Sequence, residues 1–280
     1  MSELEALLLG VVQGLTEFLP ISSSGHLILV PWLQDYTYLR EHDSFNKTFD
    51  VALHAGTLVA VVSYFHVELR AAAVGFVRSV RKRSIKDPSE RLAWVLVIGT
   101  IPAVVVGGLG EDWIDENLGE PWMIGILLIV FGLVLGIADR LPQHRALAGV
   151  RLRDGLYIGL AQILSLAPGV SRSGITITTG RMLQLDRDTA ARVSFLLLFP
   201  VTFGAVAFKG YEAIREGLPD GVLGPIAVGV IASAISGYVA IAGLLALVRR
   251  HNYDPFVIFR VLVGVGVLIL IATGVRSATF

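Results

Sequence analysis

Four polar side chains fall close together in an apolar stretch near the start of the chain. Gln13 and Glu17 are four residues apart, so on a helix they share one face. A carboxylate and an amide oxygen placed in this way could hold a hard divalent cation such as Mg²⁺ or Ca²⁺, with water and phosphate oxygens completing the shell. Ser23 and His26 follow, three residues apart, and a hydroxyl beside an imidazole is the pairing that an activated nucleophile requires. His26 could instead act as a general acid or base.

A second cluster of small and polar residues lies at 168–176, in the other half of the chain. Its small residues let backbone N–H groups turn toward one point, and a helix that begins there would favour an anion. Arg172 adds a planar fork that suits phosphate oxygens. This pattern predicts a phosphate cradle that comprises Gly169, Ser171, Arg172, Ser173, Gly174 and Thr176. The alternative is a helix break in which Arg172 only extends to the membrane interface.

The composition indicates that these clusters lie within a membrane protein. Hydrophobic residues make up 54% of the 280 residues and charged residues 16%, and the mean hydropathy is +0.70. A soluble domain is about one quarter charged and could not bury so much apolar surface in its own core. The chain has no cysteine and a net charge of zero, which excludes disulfides and thiolate chemistry and gives no sign of nucleic-acid binding. Acidic residues at the N-terminus argue against a cleaved signal peptide.

The apolar runs predict six full transmembrane helices. Each run approaches the roughly 20 residues that are needed to cross a bilayer. The predicted spans are 50–65, 93–109, 122–138, 190–208, 222–248 and 256–273.

Two further apolar stretches are interrupted by Pro, Gly and Ser, and they predict two re-entrant helix-loop-helix hairpins. The first hairpin covers about residues 4–34 and the second about residues 154–183. Irregular backbone at membrane depth is tolerated only where it is buried in protein or lines a wet cavity. The two hairpins also resemble each other at one constant spacing, in which Gly10, Gln13, Leu15, Ser22, Ser24 and Gly25 pair with Gly159, Gln162, Leu164, Ser171, Ser173 and Gly174.

The loop charges orient the predicted spans. Loops 68–90 and 139–153 are rich in Lys and Arg, which places them in the cytoplasm, whereas 111–120 holds five acids and no Lys or Arg. The first hairpin then enters from outside and the second from the cytoplasm. The prediction is one all-α membrane domain, 1–280, built from inverted-topology repeats at about 1–140 and 150–280.

Two sequence motifs resemble those of a known family. The run from Gln13 to His26 resembles the acidic and serine signature of the undecaprenyl-diphosphate phosphatases, also called bacitracin-resistance proteins, and the run from Pro168 to Gly174 resembles their second signature. The resemblance covers the whole chain. It implies hydrolysis of a C55 polyprenyl diphosphate to the monophosphate, which recycles the lipid carrier for cell-wall glycan synthesis. It also implies a divalent cation, a location in the cell membrane and an active site open to the extracytoplasmic side.

The same resemblance implies residue roles. Glu17 resembles the essential acid, Ser23 the nucleophile, His26 its partner and Arg172 the diphosphate clamp. Ser22, Ser24 and Gly25 join the cradle of the second motif as the predicted diphosphate-binding set, and Glu17 with Gln13 is the predicted metal site. Many members have Glu where this chain has Gln13, which lowers the local negative charge. Attack by Ser23, by His26 or by metal-activated water all stay open.

Other interpretations compete with this one. An inverted repeat equally suits a transporter or flippase of an anionic polyprenyl lipid, alone or combined with the phosphatase. An acid phosphatase related to vanadium haloperoxidases would need His six residues after Arg172, where this chain has Thr178. A purely structural scaffold leaves the buried charges unexplained. The expected partners are the polyprenyl diphosphate and membrane lipid, with no nucleic acid, and a homo-oligomer is compatible with the sequence.

Three other residues and one short segment carry weaker predictions. His54, in the predicted span 50–65, is interpreted as a packed and hydrogen-bonded core histidine. Arg181 and Arg260 are interpreted as anchors at the membrane interface, and 186–188 as a solvated cytoplasmic loop.

Overall fold

A computed structural model describes residues 1–34, 36, 43–216 and 221–279. Within these ranges the secondary structure is helical, apart from one isolated bridge between Arg145 and Leu185. Side chains at 43–45, 47, 111, 112, 115, 116, 212–214 and 216 lie outside the description, so four of the five acids in 111–120 are not placed.

Eleven α-helices are described in these ranges, together with short 3₁₀ turns at Leu147–Gly149 and Ile163–Leu166. The helices are α1 (Glu3–Phe18), α2 (Ser23–Gln34), α3 (Asp43–Tyr64), α4 (His66–Lys82), α5 (Pro88–Asn117), α6 (Pro121–Asp139), α7 (Leu152–Gln162), α8 (Arg172–Met182), α9 (Arg187–Glu216), α10 (Leu223–Val248) and α11 (Asp254–Ala272).

Five of the described helices, α5, α6, α9, α10 and α11, are long and apolar enough to cross a membrane. The predicted span 50–65 lies in α3, which meets that criterion only together with α4, and the two helices are bent by 84° at their junction. The described chain therefore holds five spans, or six if the bent pair counts as one. Large apolar side chains on these helices face outward, among them Leu109, Ile137 and Leu262. An apolar exterior of this kind needs a lipid surrounding.

The segment 68–90, interpreted from sequence as a loop, is mostly helix α4. Its small residues Ala72, Gly75 and Ser79 are buried, and its other faces are exposed. The Lys and Arg residues of this segment within α4, which favoured a loop in the sequence, lie on the exposed faces of the helix.

Both predicted hairpins are helix–break–helix units. The first joins α1 to α2, and α1 begins with a capping box in which Ser2 and Glu5 bond each other's backbone. The second joins α7 to α8 through the 3₁₀ turn, Pro168 and Gly169. With 16 and 12 residues in the first unit and 11 and 11 in the second, each helix is shorter than the roughly 20 residues of a span.

The first helix of each hairpin packs on a long helix of the opposite half of the chain, α1 on α10 and α7 on α5. At both places glycines let the backbones approach. A side chain on Gly10 would meet the backbone of Gly229, and one on Gly159 would meet the backbone of Gly99. The helices α3 and α9 pack on each other, as do α6 and α11. Phe18 and Phe65 both pack on Phe195 within the main core cluster, and Phe18 is the last residue of α1, next to the break in the first hairpin.

Two arginines interpreted as interface anchors are instead fully buried. Arg181 pairs with buried Asp139 and donates to the carbonyls of Leu141 and Leu185. Arg187, from the predicted solvated loop, also donates to Asp139, at 2.7 Å. Arg260 donates only to backbone carbonyls among its described contacts. A buried guanidinium is stable only with such partners, and the sequence does not show that they are near.

Candidate active site

The Glu17 carboxylate is the centre of a polar cluster between the two hairpins. It lies in the last turn of α1 with only 7% of its side chain exposed. Its Oε2 accepts a 2.5 Å hydrogen bond from the Ser23 hydroxyl and a 3.2 Å bond from the Gln13 amide. Its Oε1 accepts a 3.0 Å bond from the Arg172 guanidinium. The Ser23 hydroxyl of the first motif and the Arg172 guanidinium of the second motif therefore both bond the Glu17 carboxylate.

Arg172 is fixed by main chain as well as by Glu17. It is the first residue of α8, and its Nη1 donates to the carbonyl of Ser194 on α9 at 2.6 Å. Thr176, one turn later, donates to the Ser194 hydroxyl at 2.7 Å. One edge of the guanidinium is thereby held against α9, and 15% of the side chain is exposed. A fork held in this way is suited to the oxygens of a phosphate.

The two hairpin breaks are built alike. Ser22 and Ser171 precede α2 and α8 and adopt positive φ angles of 78° and 73°. Such angles are strained for a residue other than glycine and persist only where the surroundings fix them. Each hydroxyl accepts the backbone N–H three residues on, from Gly25 and Gly174 respectively.

Hydrogen bonds also join one break to the other. Ser22 accepts the N–H of Gly169 at 3.0 Å, and Ser173 donates to the carbonyl of Leu19 at 3.0 Å. Arg260 reaches both breaks from α11, because it donates to Pro20 at 3.1 Å and to the carbonyls of Gly169 and Val170 at 2.9 Å. The starts of α2 and α8, which carry Ser23 and Arg172, are therefore held together as a unit.

His26 is not hydrogen-bonded to Ser23, contrary to the pairing expected from their spacing. Its Nδ1 donates to the carbonyl of Ser22 at 2.7 Å, and its ring stacks on Phe259 at 5.6 Å. Its Nε2 is buried and has no hydrogen-bond partner among the described residues. The first turn of α2 directs the imidazole away from Ser23, whose hydroxyl turns toward Glu17.

His54 also lies near this carboxylate, although it was interpreted from sequence as a packed core histidine. Its Nε2 lies 3.7 Å from Glu17 Oε2, and 33% of its side chain is exposed. Its Nδ1 donates to the carbonyl of Asp50 at 2.7 Å, so the other nitrogen faces Glu17. The signal was present, because an ionisable residue within an apolar span is a functional candidate.

Comparison with known proteins identifies the family. Residues 6–266 match the family described as bacitracin resistance protein BacA. The chain belongs to this family. Proteins named undecaprenyl-diphosphatase are similar over their whole length. The one from Pelobacter propionicus is 44% identical over 279 residues, covering 99% of this chain and 100% of the relative. That from Geobacter sulfurreducens is 45% identical over 270 residues, covering 96% and 98%.

Membership of the BacA family confirms the resemblance inferred from the two motifs. A more distant relative from Nocardioides, also named undecaprenyl-diphosphatase, is 41% identical over 281 residues and covers 98% of each chain. Together with the apolar helices, the family identifies a multi-pass membrane protein.

The predicted metal pair has one feature that fits a cation. Among the described residues, Gln13 Oε1 is buried without a hydrogen-bond partner, and the amide nitrogen of the same side chain bonds Glu17. Among the described residues no group of three or more His, Asp or Glu could hold a metal ion. The pair suits a cation such as Mg²⁺ that takes few protein ligands and keeps phosphate oxygens and water.

The remaining members of the predicted diphosphate-binding set lie at the two breaks, but several of their hydroxyls are occupied. Ser22, Ser171, Ser173 and Thr176 bond the protein itself, as described above. Their observed contribution is to shape the breaks. Gly25 and Gly174 donate their N–H groups to serine caps, Gly169 does the same across the breaks, and Ser24 lies half-buried in the first turn of α2.

Proposed function

We propose that this protein hydrolyses undecaprenyl diphosphate to the monophosphate and inorganic phosphate, and so recycles the lipid carrier of cell-wall glycan synthesis. The names of its full-length relatives support this activity. One structural observation supports it most strongly: a serine hydroxyl donates at 2.5 Å to a carboxylate that is itself bonded to an arginine.

In the proposed first step, the Ser23 oxygen attacks the terminal phosphorus of the diphosphate. Its proton passes to Glu17, which already accepts the hydroxyl hydrogen bond. The bond from phosphorus to the bridging oxygen breaks, and the lipid monophosphate leaves with the electron pair of that bond. Arg172 holds the oxygens of the transferring group, where positive charge has its largest effect on rate.

In the second step, water attacks the phosphoserine and releases inorganic phosphate. Glu17 returns its proton to the Ser23 oxygen, and the water proton leaves with phosphate. His26 is assigned a supporting contact to the substrate through its unpartnered Nε2 rather than activation of Ser23. Direct attack by water, with Glu17 as base, is the competing order of events.

A divalent cation, Mg²⁺ or Ca²⁺, is part of the proposal and would be held by Glu17 and Gln13 Oε1. When bound, it would neutralise charge on the diphosphate oxygens. Arg172 donates to Oε1 of Glu17, while Gln13 donates to Oε2, so the two oxygens of the carboxylate are differently engaged.

The proposed architecture is one membrane domain, 1–280, of two inverted repeats at about 1–140 and 150–280, in the cytoplasmic membrane. The matched caps at Ser22 and Ser171 and the matched contacts of Gly10 and Gly159 support a duplicated unit. Short helices on either side of each break support re-entrant hairpins. The charges of the loops support an active site open to the extracytoplasmic side.

Phosphate release tests the activity. Purified protein in detergent should release inorganic phosphate from C55 diphosphate, and chelation of divalent cations should reduce the rate. Glu17→Gln should be nearly inactive with the folded fraction unchanged. Absence of phosphate release from folded, cation-supplied protein would refute the proposed activity.

A trapping experiment tests the order of events. With substrate labelled at the terminal phosphate, rapid acid quenching should yield labelled Ser23, and Ser23→Ala should give no labelled protein. A quenched wild type that turns over substrate without any labelled protein would favour direct attack by water.

A second candidate function is movement of the polyprenyl lipid between leaflets. The matched breaks at Ser22 and Ser171 favour it, because transporters commonly bind their substrate where discontinuous helices of two repeats meet. Vesicles that contain the protein and a labelled lipid should then show exchange between leaflets. The Ser23–Glu17 contact favours the phosphatase, since transport does not require it.

A further inference from the structure

An apolar slot lies between α4, α5 and α9, away from the polar cluster. It has a volume of about 320 Å³ and is lined by apolar residues, among them Leu69, Phe76, Val97, Phe199 and Pro200. Its size falls within the range of pockets that hold small molecules, roughly 300–1,000 Å³. Because its walls offer almost no hydrogen-bonding groups, an occupant of the slot has to be apolar.

A shallow groove of about 600 Å³, called here the cationic cavity, adjoins this slot; its lining residues all lie on α4, and most of its lining surface is apolar. Three of its lining residues are Arg78, Arg81 and Lys82. Ala73 and Val77 line both the cationic cavity and the slot, so the two spaces are neighbours along the same face of α4. A molecule with an anionic head and an apolar chain would match the pair.

The position of α4 explains why the charges and the slot are adjacent. Helix α4 leaves α3 at 84° and packs on α5 through Ala72, Gly75 and Ser79. The Trp94 indole of α5 donates to the Ser79 hydroxyl at 2.9 Å and fixes this contact. The exposed sides of α4 then carry both valines and cations, which is the pattern of a helix that lies in a membrane interface.

We propose that these two spaces form a binding site for one anionic phospholipid, with its phosphate at Arg78, Arg81 and Lys82 and an acyl chain in the slot. The Arg guanidinium and Lys ammonium groups attract an anionic headgroup and bond its phosphate oxygens. Arg78 also bonds Asp87 at 3.1 Å, which leaves Arg81 and Lys82 as the cations to remove in a test. The general preference of Lys and Arg for cytoplasmic segments explains why these three cations lie on that side of the membrane. It does not explain why they lie next to an apolar slot.

Native mass spectrometry of the full-length protein tests the site. The protein is equilibrated with equal amounts of dioleoyl-phosphatidylglycerol and dioleoyl-phosphatidylcholine, and the lipid that stays bound is counted. We expect one phosphatidylglycerol to be retained in preference. Arg81→Gln with Lys82→Gln should weaken its binding roughly 30-fold, because each surface cation contributes about 1 kcal/mol toward an anionic lipid.

The matched control removes two exposed cations elsewhere, with Arg151→Gln and Arg153→Gln, and should leave retention unchanged. A second variant, Ala73→Trp, keeps every charge but fills the slot from an exposed position, so the fold should tolerate it. It should also reduce retention.

Three results would overturn the proposal. They are equal retention of both lipids, equal losses in the test and control charge variants, and a dimer of the wild type that Ala73→Trp converts to a monomer. The last result would assign the slot to contact between two copies of this chain.

Discussion

Glu17 and Arg172 are 155 residues apart in sequence, yet they form a largely buried ion pair. Such a pair gains little net stability, because removing two charges from water costs about as much as their attraction returns. Its retention in an apolar bundle is better explained by function than by folding. The exposed fraction of Arg172, 15%, leaves one edge of the cluster accessible to a headgroup.

Replacing Arg172 by Lys tests whether the planar fork matters as well as the charge. A lysine could reach Glu17 but could not also hold the Ser194 carbonyl and a phosphate oxygen with fixed geometry. We expect phosphate release to fall by about 100-fold or more, as for removal of one charge-stabilising donor. The thermal midpoint should change little.

Arg153→Lys, at an exposed position, is the matched control and should keep full activity. Near-normal turnover of Arg172→Lys would mean that Arg172 contributes only charge.

His54 gives a second prediction at this scale. If it supports Glu17, His54→Leu should lower kcat by about tenfold, less than the 10²–10⁴ of a direct acid–base group, because its nitrogen is 3.7 Å from the carboxylate. The folded fraction should be unchanged. His66→Leu is a suitable control, since His66 makes the same type of carbonyl hydrogen bond on exposed α4.

Loss of stability in His54→Leu with an unchanged kcat would restore the earlier interpretation of a packed core histidine.

The sequence could predict that Glu17 and Arg172 are functional, because each is a charge in an apolar segment. It could not predict the direction of the His26 ring, which depends on the turn geometry at Ser22 and on Phe259.

At the scale of elements, the two breaks depend on contacts that come from distant helices. Arg260 of α11 donates to the carbonyl of Pro20 at the first break and to that of Gly169 at the second. One guanidinium therefore sets the spacing of α2 and α8. The sequence predicted the breaks from Pro, Gly and Ser, which act locally. Arg260 was interpreted from sequence as an interface anchor, because its carbonyl partners are brought close only by the tertiary fold.

Arg260→Met should therefore impair both stability and turnover. Several buried carbonyls would lose their donor, at a cost of about 1–3 kcal/mol for each unsatisfied group. We expect a lower thermal midpoint and a reduced kcat per folded molecule, with a smaller effect on KM. Arg260→Lys, which keeps the charge and part of the bonding, should restore some of the kcat.

Arg181→Met is the comparison, because Arg181 is equally buried but bonds the Asp139 region rather than the breaks. The Arg181→Met variant should be less stable than the wild type, while its folded molecules keep a normal kcat. Identical behaviour of the two variants would show that Arg260 has no positioning effect beyond stability.

At the scale of the whole molecule, the apolar runs correctly predicted five of the six spans, because a lipid-facing helix must be apolar along its full length. The same reasoning failed at α4, where Lys and Arg content was interpreted as a loop. The sequence did not predict which helices pack on each other, although it contains the glycines that allow their close approach. Gly10 and Gly159 were noted as a matched pair, but their partners Gly229 and Gly99 lie in other spans.

The proposed topology predicts which loops face outside, and cysteine labelling tests it. Because the sequence contains no cysteine, each introduced cysteine is the single labelling site in the protein. Asn117→Cys should react with a membrane-impermeant maleimide on intact cells, because 111–120 contains no Lys or Arg. Lys86→Cys and Gln143→Cys lie in Lys/Arg-rich segments and should react only after the cells are permeabilised. All three side chains are exposed, so differences in labelling report sidedness rather than burial. Labelling of Lys86→Cys but not Asn117→Cys on intact cells would reverse the orientation of the chain, and the Ser23–Glu17–Arg172 cluster would then have to open toward the cytoplasm.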